Sequence, residues 1–447
     1  MPRCWFHQLL LIITSSLIAA CGAWETPRAW PADVPPRNPA ITGTPITLRV
    51  WLAADYVDTA PIRDLFRDFE RAYPNIRIEP TSGILWEEMR QRIELAVSQG
   101  NPPDLAHGHA FAFGALGLAQ PLDEAWRAWN VENEFMPGAM EDVIWKGRHY
   151  GVPLDINTLF TIYNKRLLRE AGLPEPVAGW TFADLERMAA RLTESDGSQY
   201  GLALSASGWA MAGMINAAGG DLLTERDGRI VATIDTPPVA ETLWLHRRLG
   251  LERHHGTLPP PIMRQSDHPV RLFAAGKVAM FFSGPWDLAR LRQEAPELLA
   301  DVGTAPLPRG QGPNAGGSVQ GGGSLFVPSG ARHPEAAFEV MKWAVADPYA
   351  RRLASELGRY PVRTRLYEDP AMRSDPLLQP FFEQLTTARP YKLEAYQRAN
   401  ELWKAAVSAV FDPNADLDAV IRQTQDGIQA AIDEVEQASQ RRFSTSQ

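Results

Sequence analysis

YGVPLDINTLFTIYN, residues Tyr150–Asn164, combines a turn (Gly151, Pro153), two side chains able to grip hydroxyls (Asp155, Asn157) and an apolar run (Leu159–Ile162). A polar grip where the chain enters a buried strand suits a ligand site between packed layers, since buried carboxylates and amides need partners. Asp and Asn also cap turns, so both roles stay open for this pair. YNKRLL, AGLPEP and GWTFADLERMAARL follow at once. In the last, Thr181 and Asp184 have capping-box spacing, and Leu185, Met188, Ala189 and Leu192 share one helical face.

Working towards the N-terminus, short apolar runs alternate with amphipathic helices. ITLRVWLA (46–53) reads as a strand, and Ile62, Leu65, Phe66 and Phe69 then recur at helical spacing after Thr59 and Pro61. IRIEP is a second strand. Trp86, Met89, Ile93 and Val97 mark a helix ending at Gly100, and PDLAHGH leads as a third strand into a helix over 110–119. This βαβαβα order predicts an α/β protein with a mostly parallel sheet covered on both faces. Towards the C-terminus, Pro237-Pro238 opens a helix through Leu249, residues 251–269 and 303–318 read as loops, and Gly321–Gly323 precede a short strand, SLFVPS. Helices are expected over 334–346, 348–357, 394–410 and 416–438.

The first twenty residues differ from the rest. Arg3 precedes about a dozen apolar or small residues, Leu9–Ala20, which is signal-peptide length and too short to span a bilayer. LIAACG (17–22) resembles the bacterial lipobox, with Cys21 as the lipidated residue; a plain signal peptide with an incidental cysteine is the alternative. Cleavage there removes Cys4 and leaves Cys21 as the sole cysteine, so the mature chain holds no disulfide, thiolate metal site or cysteine nucleophile. The Pro-rich segment 21–45 reads as a tether between lipid and folded domain. With 447 residues, 45% apolar, the chain can bury a large core in two lobes. A net charge of −9 argues against nucleic acid.

Five further stretches, in order, carry a family resemblance: PNIRIEP with GNPPDLAHGHAF, INAAGGDLLTERDGR, FAAGKVAMFFSGPWDLARL, GGGSLFVPSGARHPEAAFEVMKWAV and LGRYPVRTRL. Together with the opening stretch they resemble the maltose-binding-protein-like group of extracellular solute-binding proteins of ABC importers. The resemblance implies a two-lobe periplasmic-binding-protein-like fold, each lobe a mostly parallel sheet flanked by helices. Lobe one would comprise 46–155 and 281–327, lobe two 156–280 and 328–447, with crossings near 155–160, 278–284 and 325–330. It further implies hinge closure on a di- or oligosaccharide, delivery to membrane permease subunits driven by a cytoplasmic ATPase, and a monomeric, lipid-anchored, extracytoplasmic protein without enzymatic activity or cofactor.

A sugar offers flat C–H faces to aromatic rings and hydroxyls to carboxylates, amides and guanidinium groups. Trp286, in SGPWDL, matches the family's sugar-stacking tryptophan; otherwise it is a core residue at a helix start. Trp209 beside Ser207 is a second aromatic candidate, with a loop anchor as its other role. Asp155, Asn157 and Asp55 are polar candidates, Asp55 and His107 lying at strand ends where α/β sheets bind ligands. Trp86 is a cleft wall or a helix staple. Gly220 and Gly322 would let backbone approach the ligand. Arg359 and Tyr360 are better contacts than Arg363, and Tyr396 and Trp403 are weaker ones. His107, His109, His254 and His255 lack metal-ligand spacing and read as loop residues. A glycerol-phosphate ligand would need convergent cations, for which Arg359, Arg363 and Lys404 are available. A glycan-acting enzyme would need paired carboxylates, and none stands in recognisable context.

Overall fold

The computed structural model describes residues 37–251, Thr257 and 268–444. Cys4, Cys21, the signal segment, most of the tether, and His254 and His255 lie outside the described residues. The strands are β1 (Ile46–Trp51), β2 (Ile76–Thr81), β3 (Leu105–Gly108), β4 (Ile144–Trp145), β5 (Arg148–His149), β6 (Gly151–Thr158) and β7 (Phe160–Asn164). They continue with β8 (Tyr200–Ala203), β9 (Leu223–Arg226), β10 (Arg229–Ala232), β11 (Val278–Ser283), β12 (Val302–Ala305), β13 (Ser318–Phe326) and β14 (Ala388–Pro390).

Two sheets organise the molecule. One runs β14-β13-β3-β1-β2, with β6 also paired to β13; the other runs β12-β7-β11-β8. In the first, β1 pairs in parallel with β2 and β3, as the βαβ reading requires, whereas β13 runs antiparallel to β3 and β6. In the second, β7 is antiparallel to β11 and β12 while β8 and β11 are parallel. Only Leu159 separates β6 from β7, so the opening stretch crosses directly from one sheet to the other.

The amphipathic patterns explain how the layers close. Helix Ala60–Ala72 begins at a proline-compatible turn and buries Ile62, Leu65, Phe66 and Phe69. It packs against helices Pro334–Ala344 and Asp347–Leu357, where Phe69 meets Trp343 edge-on at 5.5 Å. Helix Phe182–Arg191 carries the full Thr181–Asp184 capping box. Its buried Leu185, Met188 and Ala189 join Phe160, Ile162, Leu202 and Met280 in the core around the second sheet. The long helix Leu417–Ser444 packs on helix Gln397–Val410.

Several boundaries differ from the sequence reading. Residues 281–305, expected in the first lobe, complete β11 and form β12 of the second sheet, because β7 pairs with both along four positions each. Helices within 334–357, expected in the second lobe, pack on helix Ala60–Ala72 beside the first sheet. The small-residue helix stops at Ala115 rather than 119. The glycine triplet does not precede a strand; it lies inside the nine-residue β13. Gly322, at φ +123° beside the register shift at Gly323/Ser324, is a backbone position that a residue with a Cβ rarely adopts. A Cβ there would stand 2.2 Å from the Asp155 carbonyl oxygen.

Candidate functional site

A cavity of about 460 Å³ opens between the two sheets. Asp55 and Trp86 line it from one side, Trp209 and Trp286 from the other, with Asn157 and Gly322 from the crossing strands and Arg359 among them. Its volume falls in the range of small-molecule sites, roughly 300–1,000 Å³. A larger space of about 1210 Å³ lies elsewhere, beside Trp129, Phe338 and Arg363.

The centre of the site is built on Arg359. Helix Asp347–Leu357 ends in a left-handed Gly358, φ +65°, and a Cβ there would meet the Pro285 carbonyl oxygen at 2.3 Å. That close approach of backbone to backbone sets Arg359 beside the helix that starts at Pro285. The guanidinium lies over the Tyr56 ring at 4.9 Å and the Trp286 ring at 5.4 Å, and it pairs with Asp55. Such stacking of a cation on aromatic faces is favourable, more so as water is excluded. Tyr56 donates its hydroxyl to Asp155 at 2.8 Å, and the Asn157 amide donates to the other Asp155 oxygen at 3.2 Å. Burial pushes the Asp155 carboxyl up to about 6 against the pull of Arg359 and these hydrogen bonds.

Trp209 sits in the first turn of helix Gly208–Ala217, which Ser207 caps. Its indole N–H donates to the Gln320 carbonyl at 3.1 Å, and its ring lies 6.2 Å from that of Trp286, tilted by 49°. Trp403, fully buried, donates to the Gly208 carbonyl at 3.0 Å and so braces this wall from behind. Trp86 begins helix Trp86–Ser98, its ring edge-on to His107 at 4.9 Å and to His109 at 5.1 Å.

Four candidates stand off the cavity surface. Asp155 lies beneath it, reaching the site through Tyr56 and Asn157. His107 ends up wholly buried between Tyr56 and Trp86, with burial first and Arg359 second holding its pKa down to about 3, so it backs the wall as a neutral ring. Tyr360 is a core residue: its carbonyl accepts from Ile156 N at 2.9 Å, and its ring packs on Phe381 at 4.7 Å. Gly220 is remote, its carbonyl accepting from Asn216 at 3.0 Å. Among the weaker candidates, Tyr396 is buried and donates to Glu436 at 3.0 Å, and Arg363 is held by Glu134 at 2.6 Å over the rings of Trp129 and Phe135.

The sequence reading missed Tyr56, Arg90, His109, Tyr391, Glu394 and Asn400, which also line the cavity or its floor. Tyr56, adjacent to Asp55, carried a positional signal; Glu394 and Asn400 carried none. His109 is the single connecting residue between β3 and helix Ala110–Ala115, in keeping with its loop reading, whereas His107 lies within β3. The His109 Nδ1 lies 2.6 Å from Asp142. Burial opposes its charge, yet Asp142 and then Glu394 outweigh this and lift its pKa to about 9. The other cations of the wall are paired too: Arg90 with Glu94 at 3.8 Å and with Glu401 at 3.5 Å, and Lys404 with the same Glu401 at 3.3 Å. The surface is therefore a charge-compensated, aromatic-walled slot, a chemistry that suits a neutral polyhydroxyl ligand.

Comparison with known proteins places this geometry in context. The family model for bacterial extracellular solute-binding proteins matches residues 53–351. The maltotriose-binding protein of Pyrococcus abyssi is 25% identical over 361 residues, covering 76% of this chain and 73% of that protein. The diacetylchitobiose-binding protein of Streptomyces coelicolor is 22% identical over 72% of this chain and 74% of its own length. Among solved structures, the GacH receptor of Streptomyces glaucescens, crystallised unliganded and with acarbose, aligns with a TM-score of 0.77. That alignment has 23% identity and covers 88% of this chain and 99% of the receptor. UgpB from Mycobacterium tuberculosis in complex with glycerophosphocholine aligns with a TM-score of 0.74 at 20% identity, covering 88% and 99%. These structural likenesses establish the two-lobe fold.

Proposed function

Since the chain belongs to the bacterial extracellular solute-binding protein family, we propose that it captures a neutral di- or oligosaccharide in the cavity between its sheets. The observation that carries this reading is the pairing of aromatic walls, Trp86 opposite Trp209 and Trp286, around cations already matched by carboxylates. Trp286 and Trp209 offer faces for sugar rings, while Asn157, Asp55 and Arg359 offer hydrogen bonds at the rim, with Asp155 fixing Asn157 from below. The maltotriose- and diacetylchitobiose-binding relatives point the same way.

The protein performs no chemistry in this reading. It acts as a monomer that hands its ligand to the membrane permease of an ABC importer, whose cytoplasmic ATPase drives transport. Among the described residues no helix is long and apolar enough to cross a membrane. In this reading the membrane anchor is Cys21, lipidated after loss of residues 1–20, with 21–45 as the tether. A Cys21→Ser protein recovered entirely from the soluble fraction supports this anchor; unchanged membrane association removes it.

A phosphodiester such as glycerophosphocholine is the second reading, favoured by Arg90, Arg359 and Lys404 at one cavity. A thermal-shift screen against maltotriose, mannotriose, diacetylchitobiose and glycerophosphocholine decides between them, because a ligand bound to the native state raises Tm. Stabilisation by a sugar supports the main reading. Stabilisation by glycerophosphocholine alone, or turnover of a sugar, overturns it.

A further inference from the structure

We infer that His109 and Glu394 form a two-point clamp that reads a single ligand hydroxyl as hydrogen-bond acceptor and donor at once. The inference rests on the sugar-binding reading and deepens it. His109 Nδ1 is committed to Asp142, whose second oxygen accepts from the Ser324 hydroxyl at 2.6 Å. Ser324 Oγ in turn accepts from Ala110 N at 2.9 Å, so carboxylate and imidazole are both held from β13 and the start of the next helix. Trp86 edge-on to the ring limits its swing. Only Nε2 is left to face the cavity, and it faces Glu394.

The spacing of the pair is what makes it a site. Nε2 and the Glu394 carboxylate stand 3.9 Å apart, beyond direct hydrogen-bond reach. One oxygen atom at about 2.8 Å from each fits between them at ordinary hydrogen-bond lengths. The two side chains are 14% and 28% exposed, dry enough for each bond to count and open enough for a ligand to enter. With its pKa lifted to about 9, His109 keeps its Nε2 proton through the neutral range. Burial raises the Glu394 carboxyl and the His109 charge pulls against it; with Glu394 ionised, imidazolium and carboxylate ask opposite things of the visitor. A hydroxyl accepts from one and donates to the other. An ether oxygen satisfies only the first, a deoxy carbon neither, and a phosphate or carboxylate oxygen meets repulsion from Glu394. Sites built to hydrogen-bond a hydroxyl discriminate strongly against its absence, since the buried partners are left unmet.

The test uses calorimetry with maltotriose, mannotriose and diacetylchitobiose, then singly deoxygenated and O-methylated analogues of whichever sugar binds. The expected result is one hydroxyl position at which deoxy and O-methyl analogues bind at least tenfold more weakly to the wild type. Glu394→Gln, and independently His109→Gln, should reduce that discrimination to a few-fold, and the double variant should do little more than either alone. Glu394→Gln keeps its shape and leaves the Asp142 contact of His109 intact, so it carries the test if His109→Gln fails to fold. Unchanged hydroxyl discrimination in Glu394→Gln overturns the clamp. So do strictly additive losses in the double variant. A wild type that binds sugar and loses it in Trp286→Ala, yet is indifferent to both clamp variants, overturns the clamp alone. A folded wild type that binds none of the sugars overturns the clamp together with the sugar reading.

Discussion

Arg359 lies over Tyr56 and Trp286 and pairs with Asp55, so residues far apart in sequence meet through one guanidinium. Trp286→Ala should weaken sugar binding at least tenfold, about 1.4 kcal/mol or more, with the fold intact by circular dichroism; an unchanged titration would refute stacking on this ring. A second prediction concerns His109. Its folded pKa of about 9 lies above the roughly 6.5 of an unfolded histidine, so the folded state holds its proton more tightly. Its stabilising contribution is complete below about pH 6.5 and is lost as pH rises through about 9. Tm should accordingly fall across that window, and His109→Gln should flatten the fall. Asp155 acts at lower pH: raised to about 6 from about 3.9, it makes the folded state lose stability as pH rises from about 4 to about 6. At this scale the sequence was partly legible. Asp55, Asn157, Trp86, Trp209, Trp286, Gly322 and Arg359 line the cavity, because strand ends and helix starts are where an α/β protein puts its mouth. Tyr360 and His107 have the right chemistry and adjacent positions, but their side chains turn into the core.

Elements with a strong periodic signal were the most legible. The helix starting at Ala60 buries all four of its marked apolar residues, and the one starting at Trp86 ends at Ser98, two residues before the expected Gly100, since apolar spacing fixes them locally. Thr181→Ala removes one half of a formed capping box and should cost about 1 kcal/mol, read as a small drop in Tm with ligand affinity unchanged. Of β13 only the end, Ser324–Phe326, was legible as strand. Glycine is depleted in strands on intrinsic grounds, and its use here answers to neighbours remote in sequence: the Asp155 backbone against Gly322, and the Asn157 and Trp209 side chains close to Gly321. Gly322→Ala should therefore destabilise by at least about 2 kcal/mol, measured by chemical denaturation. A loss below a few tenths would show that the backbone there relaxes without strain.

On the scale of the molecule, the α/β class and the crossing at 150–164 followed from alternation and from one composite stretch. Sheet membership did not, because β11 and β12 are placed by pairing with β7, a contact over more than a hundred residues. Glu394 and Asn400 reach the cavity by the same kind of long return, which no local pattern encodes. The charge balance of the whole slot yields a prediction of its own. With wall cations paired, sugar affinity should change less than twofold between low and high salt, whereas a phosphodiester ligand would weaken markedly as screening grows.

The crossing at Leu159 has a mechanical consequence. Thr158 Oγ1 donates to the Val319 carbonyl at 2.7 Å, and Ser318 Oγ donates to the Leu159 carbonyl at 3.1 Å. These bonds strap two passages of the chain side by side at the point where one sheet gives way to the other. A torsional change there would turn one sheet relative to the other. Asn157 belongs to that crossing, and Gly322 lies across the ladder from Ile156. A ligand that touched either residue would press on the crossing itself.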